Sequence, residues 1–281
     1  EISSTEGIEL VRGRARLGAG RRVTVTGPGG ERGLAAPHVV IASGSRPRTL
    51  EIPGLPPERL LTNETLFEIQ RPPEHLAIIG AGPIGVEMAC AFTRLGARVT
   101  LIDVAPRLLP GADPAASQVL ETALADQGIA IRLGSRATGY DAAGGGLDIE
   151  GPSGTKRVAG VDAVLVAIGR APNVSGFEHA VATGPGGIVV DGWGRTSAHG
   201  VWAVGDVTPV AHQTHAANAH ARRIVQRIAL PWIPPVGRPP VIPHAVFSDP
   251  EVAWVGPSPE ALAHRFHPEA LVHLRVDLAG T

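Results

Sequence analysis

The chain has 281 residues, of which 43% are hydrophobic and 18% charged, and its formal net charge at pH 7 is −1. This composition is typical of a globular protein of two or more domains, and the near-zero charge gives no reason to expect nucleic acid or an anionic membrane as a partner. No apolar run has the length of a membrane span and the first residues lack a secretory signal pattern, so we expect no membrane association and a cytoplasmic location.

Short strands joined by glycine-rich turns are predicted for the first part of the chain. Apolar and β-branched residues dominate three segments, 9–11, 22–26 and 38–42. The sequence Gly-Pro-Gly-Gly at 27–30 is typical of a hairpin turn. We interpret this stretch as a β-meander that ends in a polar glycine turn at 43–47. A short helix is predicted at 63–68, and the two prolines at 72 and 73 indicate a domain boundary near residue 71.

The strongest signal lies at 76–103, which has the pattern of a strand, a glycine turn, a helix and a second strand. The apolar residues 76–79 precede a G-x-G-x-x-G sequence at 80–85, the fingerprint of a dinucleotide-binding βαβ unit. Gly80 would permit the tight turn, Gly82 would let a pyrophosphate approach the backbone, and Gly85 would let the helix lie close to the strand. The helix N-terminus would offer free N–H groups to the phosphates.

Asp103 ends the second strand about 20 residues after Gly82, the spacing at which an acidic side chain meets the adenosine ribose. A carboxylate there accepts hydrogen bonds from a free 2′-hydroxyl and repels a 2′-phosphate, so it favours NAD over NADP. Arg107 could bind a phosphate, which keeps NADP open. We therefore predict a dinucleotide site here, with a glycine-rich turn that binds no ligand as the alternative.

Strands and helices continue to alternate in the remainder of the chain. Asp113-Pro114 predicts the start of a helix and Gly128 its end. Turn residues at 144–146 and 152–154 predict three antiparallel strands, with the apolar segment 163–168 as the third. Further strands are predicted at 129–133 and 200–204 and a further helix at 216–228. Asp206 follows the strand at 200–204, at the end where ligands of doubly wound sheets bind.

Five segments, in this order, resemble the FAD-dependent pyridine nucleotide–disulfide oxidoreductases, the family of dihydrolipoamide dehydrogenase, glutathione reductase and mercuric reductase. They are Ala42-Ser43-Gly44-Ser45 with Arg46-Pro47, Gly80 to Glu87, Gly169-Arg170 with Pro172-Asn173, Gly205-Asp206-Val207, and Phe247 to Val252 with Val255-Gly256. Residues 106–110 and 214–215 are most similar to the dihydrolipoamide dehydrogenase and mercuric reductase branches.

The resemblance implies an α/β fold, with a Rossmann-like doubly wound NAD(P)-binding domain inserted in a partial FAD-binding domain and followed by the start of an α+β dimerisation domain. The expected bounds are 1–71 for the first part of the FAD-binding domain, 72–173 for the NAD(P)-binding domain, 174–230 for the returning part of the FAD-binding domain, 231–243 for a linker and 244–281 for the start of the dimerisation domain. A homodimer is the implied state of the full-length protein.

The resemblance also implies cofactor-binding residues. For FAD they are Ala15 at the adenine, Ser43, Gly44 and Ser45 along the cofactor, Asp206 at a ribityl hydroxyl, and His212, Gln213, Thr214 and His215 along the flavin and pyrophosphate. For the nicotinamide cofactor they are Gly80, Ala81, Gly82, Pro83, Ile84, Gly85 and Val86 at the pyrophosphate, Glu87 at the nicotinamide, Asp103 at the ribose, Ala137 at the adenine, and Gly169. Asp206 could instead cap a turn, and the histidines could be ordinary helix residues. The spacing of His212, His215 and His220 does not match that of a zinc helix.

The family's reaction passes hydride from NAD(P)H to FAD and on through a cysteine pair to a disulfide or related small-molecule acceptor. The sequence holds one cysteine, Cys90, and lacks the amino-terminal FAD fingerprint and the carboxy-terminal His-Glu base. We therefore predict a fragment of an FAD- and NAD(P)-dependent oxidoreductase with no catalytic residue or metal ligand of its own. The alternatives are an NADH oxidase or ferredoxin-reductase-like flavoprotein without a redox disulfide, and a non-catalytic NAD-binding module. The final acceptor, whether lipoamide, another disulfide or Hg²⁺, is left open.

Overall fold

The computed structural model describes residues 5–210, 213–232, 241–272, 274 and 276. The chain divides into two compact units: unit 1 comprises Glu1–Arg46 and Arg170–Ile242, and unit 2 comprises Pro47–Gly169 and Pro243–Thr281. The five-part division expected from the sequence stays a prediction. None of the helices in the described ranges is both long enough and apolar enough to cross a membrane.

The strands are β1 (Arg14–Leu17), β2 (Arg22–Gly27), β3 (Gly30–Ala35), β4 (Val39–Ile41), β5 (Ser45–Pro47), β6 (Leu60–Leu61), β7 (His75–Ile79), β8 (Arg98–Ile102), β9 (Ala130–Arg132), β10 (Arg136–Asp141), β11 (Gly146–Gly151), β12 (Gly154–Ala159), β13 (Ala163–Val166), β14 (Arg170–Pro172), β15 (Thr183–Gly184), β16 (Gly187–Ile188), β17 (Val201–Ala203), β18 (Pro243–Val246) and β19 (Val252–Val255). The α-helices are α1 (Pro83–Arg94), α2 (Pro114–Asp126), α3 (Thr214–Ala229) and α4 (Pro259–Ala263). Short 3₁₀ turns lie at Ala19–Arg21, Pro57–Arg59, Leu66–Glu68, Gly205–Val207 and Pro268–Ala270.

A five-stranded parallel sheet with the order β6-β13-β7-β8-β9 forms the centre of unit 2. The central strand β7 is buried along its whole length, and it pairs with β13 on one side and β8 on the other. Apolar residues of α1 and α2, among them Val86, Leu120 and Leu124, share one core with Ile78 and Leu101 of the sheet. The strand, turn, helix and strand predicted at 76–103 are thus confirmed as β7, α1 and β8.

One predicted strand lies in a different sheet. The turns at 144–146 and 152–154 do separate three antiparallel strands, β10, β11 and β12, but the apolar segment at 163–168 is not the third of them. That segment forms β13, which pairs in parallel with β6 and β7. The true third strand, β12, is mostly exposed and carries polar side chains, so its composition gave no strand signal. All four residues of β13 are buried, which is typical of a strand inside a parallel sheet that is covered on both faces.

Unit 1 contains a meander of β1, β2 and β3 and a separate parallel pair, β4 with β17. Leu17, Ile41, Val201, Ala203 and Val207 contribute to its core. Two predictions are wrong here, because residues 9–11 form no strand and β4 is not part of the meander. The helix predicted at 216–228 is confirmed as α3.

The last described segment belongs to unit 2. The strands β18 and β19 form an antiparallel hairpin, and Val246 and Val252 from this hairpin join the core that contains α1. The packing of the hairpin on the core brings Phe247 next to α1. The expectation that residues 244–281 begin a dimerisation domain stays a prediction.

Candidate nucleotide-binding sites

Two of the three glycines in the turn between β7 and α1 are required by the surrounding structure. Gly80 has a φ of +116°, and a Cβ at this position would lie 2.3 Å from the carbonyl oxygen of Ala167. A Cβ at Gly85 would lie 1.7 Å from the carbonyl oxygen of Gly80. Backbone conformation and packing therefore require glycine at both positions.

Gly82 is different, because neither its backbone conformation nor its packing against the described residues requires glycine. Its φ is −76°, and a Cβ there would meet no atom of the described residues within 4 Å. It is the N-cap of α1 and makes no side-chain capping bond, so the first N–H groups of the helix are left for another acceptor. An open space in front of free helix N–H groups is the arrangement that binds a phosphate.

Asp103 lies directly beside this turn. Its Oδ2 accepts a hydrogen bond from the backbone N–H of Ala81 at 2.5 Å, and its Oδ1 accepts one from Ala105 at 2.7 Å. The same loop returns to the turn, because the N–H of Leu109 donates to the carbonyl oxygen of Ala81 at 2.9 Å. Each carboxylate oxygen has two lone pairs, so Asp103 keeps the capacity to accept a ribose hydroxyl.

Arg107, the cation that could have bound a 2′-phosphate, is paired with an acid. Its Nη1 and Nη2 donate to the two carboxylate oxygens of Glu260 at 2.8 and 2.9 Å, and Nη2 also donates to the carbonyl oxygen of Pro110. These hydrogen bonds raise the pKa of Arg107 and lower the pKa of Glu260. The guanidinium is therefore held by a partner that a phosphate would have to displace.

The remaining residues predicted for the nicotinamide cofactor are spread over unit 2. Gly80, Asp103 and Gly169 all follow neighbouring strands of the parallel sheet, so they lie at the same sheet edge. Glu87 on α1 accepts a hydrogen bond from the backbone N–H of Phe247 at 3.1 Å. Ala137 lies on β10 outside the parallel sheet.

In unit 1, the predicted glycine turn is joined to the segment that begins at Arg170. Ser43 donates through Oγ to the carbonyl oxygen of Asn173 at 2.7 Å, and the Asn173 side chain donates back to the carbonyl oxygen of Ser43 at 3.0 Å. Arg46 donates to the amide oxygen of Asn173 at 3.2 Å. Beside these residues lies a cavity of about 550 Å³, which is also lined by Arg14, Ala15, Ser175 and Phe177.

A second cavity of unit 1 contains the carboxylate of Asp206. This residue lies in the 3₁₀ turn after β17, and its Oδ2 accepts a hydrogen bond from the Ser45 hydroxyl at 2.8 Å. The cavity measures about 490 Å³, and its lining residues are Ala42, Gly44, Val204, Gly205, Asp206, Thr214, Ala217, Asn218 and Ala221. Gly44 and Thr214, both predicted from the sequence, thus lie with Asp206 around one cavity. Gln213 precedes α3 and His215 lies in its first turn, whereas His212 lies outside the described residues.

Among the residues in or beside these cavities that were not predicted as site residues are Arg46, Arg170, Asn173 and Asn218. Arg46 and Asn173 line the first cavity, Asn218 lines the second, and Arg170 donates two hydrogen bonds to Ser45. Arg46, Arg170 and Asn173 lie in the segments on which the family resemblance rests, so those segments could have identified them as site residues. Nothing in the sequence marked Asn218.

The described part of the chain shows neither a metal site nor a second thiol. No three side chains of His, Cys, Asp or Glu within the described ranges lie close enough together to hold a metal ion. Cys90 is free and buried in α1.

Over most of its length the chain is similar to known oxidoreductases. The family profile for pyridine nucleotide-disulphide oxidoreductases matches residues 2–221. Dihydrolipoyl dehydrogenase 3 of Pseudomonas putida is 34% identical over 267 residues, which cover 91% of this chain and 56% of that protein. Mercuric reductase of Streptomyces lividans is 35% identical over 263 residues, covering 91% and 55%. The structure of the HOCl-induced flavoprotein disulfide reductase RclA from Escherichia coli matches with a TM-score of 0.79 at 27% identity, over 94% of this chain and 60% of that one. The chain therefore spans about half the length of the curated relatives it matches.

Proposed function

Because this chain belongs to the pyridine nucleotide-disulphide oxidoreductase family, we propose that it is the nucleotide-binding part of an enzyme that uses NADH and FAD to reduce a disulfide or a related acceptor. The observation that carries the proposal is the open space at Gly82, in front of the N-terminus of α1 and beside Asp103. FAD, when bound, supplies the redox chemistry that the side chains of this chain do not.

The residues of unit 2 have distinct tasks in this proposal. The N–H groups at the start of α1 and the backbone at Gly82 bind the pyrophosphate of NADH. Asp103 accepts the 2′-hydroxyl of the adenosine ribose. Glu87 lies at the nicotinamide end, with its carboxylate positioned by the N–H of Phe247. NADH is favoured over NADPH because Asp103 is an anion and Arg107 is already paired with Glu260.

The residues of unit 1 bind FAD in the same proposal. The cavity at Ala15, Ser43 and Asn173 accepts the adenosine end, where Arg14 and Arg46 supply positive charge next to the phosphates. The cavity at Gly44, Asp206 and Thr214 accepts the ribityl chain and the flavin, with Asp206 accepting a ribityl hydroxyl. Both cavities adjoin the turn at 43–46, so one cofactor could extend through them.

The acceptor and the assembly are proposed from the relatives. Dihydrolipoyl dehydrogenase and mercuric reductase are both among the similar proteins, so a dithiol-disulfide couple and Hg²⁺ are the two acceptors to test first. We propose a homodimer in the cytoplasm for the whole protein, with no nucleic acid or membrane as a partner.

The experiment is an anaerobic titration with NADH of the purified, FAD-loaded whole enzyme of which this chain is proposed to be the nucleotide-binding part, followed by the flavin absorbance, because this chain has a single cysteine and cannot form a redox disulfide itself. Bleaching of the flavin supports the oxidoreductase. One equivalent of NADH per flavin identifies a flavoprotein without a redox disulfide, and two equivalents identify a flavin that works with a disulfide, since each redox centre takes one electron pair. A colourless protein that takes up no FAD but binds NADH would overturn the proposal in favour of a nucleotide-binding module.

A further inference from the structure

A chain of hydrogen bonds in unit 1 runs from a guanidinium through a hydroxyl to the carboxylate of Asp206. Arg170 contacts Ser45 twice, donating from Nε to the hydroxyl oxygen at 2.7 Å and from Nη2 to the carbonyl oxygen at 2.7 Å. The Ser45 hydroxyl then donates to Oδ2 of Asp206 at 2.8 Å. We infer that Arg170 is a positioning residue that holds Asp206 for its ligand through Ser45. This inference rests on the proposed FAD site.

The direction of these hydrogen bonds, from Arg170 through Ser45 to Asp206, follows from which groups can donate a proton. A guanidinium has no acceptor, so in its contact with the Ser45 hydroxyl it must be the donor. That contact occupies a lone pair of the Ser45 oxygen and leaves the hydroxyl proton to point at the carboxylate. Arg170 therefore fixes a hydroxyl group that would otherwise rotate. The second bond, from Nη2 to the backbone, fixes the position of Ser45 itself.

The consequence at Asp206 is that one carboxylate oxygen is held and the other is left for a ligand. Oδ2 is bonded to Ser45, and Nε of Arg170 lies 3.9 Å from the same oxygen. Among the described residues, no hydrogen bond to Oδ1 is formed. The side chains of Arg170 and Asp206 are 21% and 29% exposed, so these hydrogen bonds are partly shielded from water. Hydrogen bonds to charged groups are stronger when they are shielded in this way.

Lysine could not replace this arginine. The two bonds to Ser45 come from two nitrogens of one planar group, whereas a lysine has a single nitrogen on a flexible stem. A role that depended on positive charge alone would be preserved in Arg170→Lys. A positioning role would be lost in Arg170→Lys as it is in Arg170→Gln.

The test is a double-mutant cycle on FAD affinity. We expect Arg170→Gln, Arg170→Lys and Ser45→Ala each to weaken FAD binding about tenfold. In the background of Asp206→Asn the Arg170→Gln change should have little further effect, since the group that it positions is already altered. The matched control is Arg32→Gln, which breaks an exposed arginine pair with Glu9 in the same unit and should leave FAD affinity unchanged.

The outcomes separate the two proposals. If the wild type takes up no FAD, the proposed function fails, and this inference fails with it. If the wild type binds FAD and Arg170→Gln weakens binding by the same factor with and without Asp206→Asn, Arg170 acts independently of Asp206 and the positioning role is wrong. Full rescue by Arg170→Lys would contradict it as well. Thermal unfolding of the FAD-free variants shows whether the fold is intact. If Arg170→Gln and Arg170→Lys are both destabilised, the same cycle with Ser45→Ala and Asp206→Asn decides the outcome, and equal effects of Ser45→Ala in both backgrounds would contradict the inference.

Discussion

The carboxylate of Asp103 and the backbone N–H of Ala81 are joined by a hydrogen bond of 2.5 Å. This bond connects the end of β8 to the middle of the glycine turn that follows β7. An acidic side chain is thereby fixed next to the open space at Gly82. One local structure thus contains both groups that we propose for the ribose and the pyrophosphate of a dinucleotide.

The first prediction concerns the choice of cofactor. We expect the wild type to bind NADH at least about tenfold more tightly than NADPH, because Asp103 repels a 2′-phosphate. Asp103→Asn removes the charge and can donate a hydrogen bond, so the preference for NADH should fall about tenfold. Competition binding with the two cofactors measures this ratio. Asp113→Asn makes the same chemical change at the N-cap of α2 and should leave the ratio unaltered; an unchanged ratio in Asp103→Asn would show that Asp103 does not select the cofactor.

The second prediction concerns the packing of α1 on β7. A methyl group at Gly85 would have to occupy the position of the Gly80 carbonyl oxygen, only 1.7 Å away, so α1 must shift. We expect Gly85→Ala to lower the free energy of unfolding by about 3 kcal/mol. Urea unfolding measures this change, and the control is Gly111→Ala, where a Cβ would lie within 4 Å of none of the residues that the structure describes. Equal stability of both variants would mean that the helix does not lie as close to the strand as described.

The third prediction is a loss of stability in mild acid. The buried ring of His75 lies 3.1 Å through Nδ1 from the carbonyl oxygen of Ala159 and 2.9 Å through Nε2 from the hydroxyl of Thr100. Burial, and then the charge of Arg98, lower the pKa of His75 below its ordinary 6.5, against smaller opposing effects of the hydrogen bond to Ala159 and then of the charge of Asp162. The unfolded chain therefore binds the proton more readily, so this contribution to stability is complete above pH 6.5 and is lost as the pH falls towards the folded pKa.

The measurement is the free energy of unfolding at several values between about pH 7.5 and about pH 5. The wild type should lose stability towards acid, and His75→Gln should have a shallower slope because one of the responsible groups is gone. His220 contributes in the same direction, since burial lowers its pKa too, and should keep part of the slope. His179→Gln, at an exposed position, is the control. If the free energy of unfolding of His75→Gln depended on pH as steeply as that of the wild type, His75 would not contribute to the loss of stability in acid.

The parts of the fold that were predictable are those encoded locally. The unit from β7 to Asp103 has an apolar strand, a glycine turn and a second apolar strand within one short stretch, so the pattern alone identifies it. Likewise Asp113 caps α2 as predicted, with its side chain accepting from the N–H of Ala115 at 2.8 Å.

The parts that were missed depend on partners far away in sequence. Residues 9–11 look like a strand, but the pairing with β2 begins only at Arg14, opposite Thr26. The partner of β4 is β17, which no local pattern at 39–41 reveals. The same holds at the sites, where Arg170 reaches Ser45 and Phe247 reaches Glu87 only through tertiary structure.

The most direct test of the account is the NADH affinity of Gly82→Ala compared with the wild type, measured together with thermal unfolding. The backbone at Gly82 tolerates a side chain, and no atom in the described part of the chain lies within 4 Å of a Cβ there, so the variant should unfold at the temperature of the wild type. We predict that its dissociation constant for NADH is nevertheless raised about tenfold or more, because the methyl group occupies the space assigned to the pyrophosphate. Wild-type NADH affinity in a variant of unchanged stability would contradict the dinucleotide site at this turn.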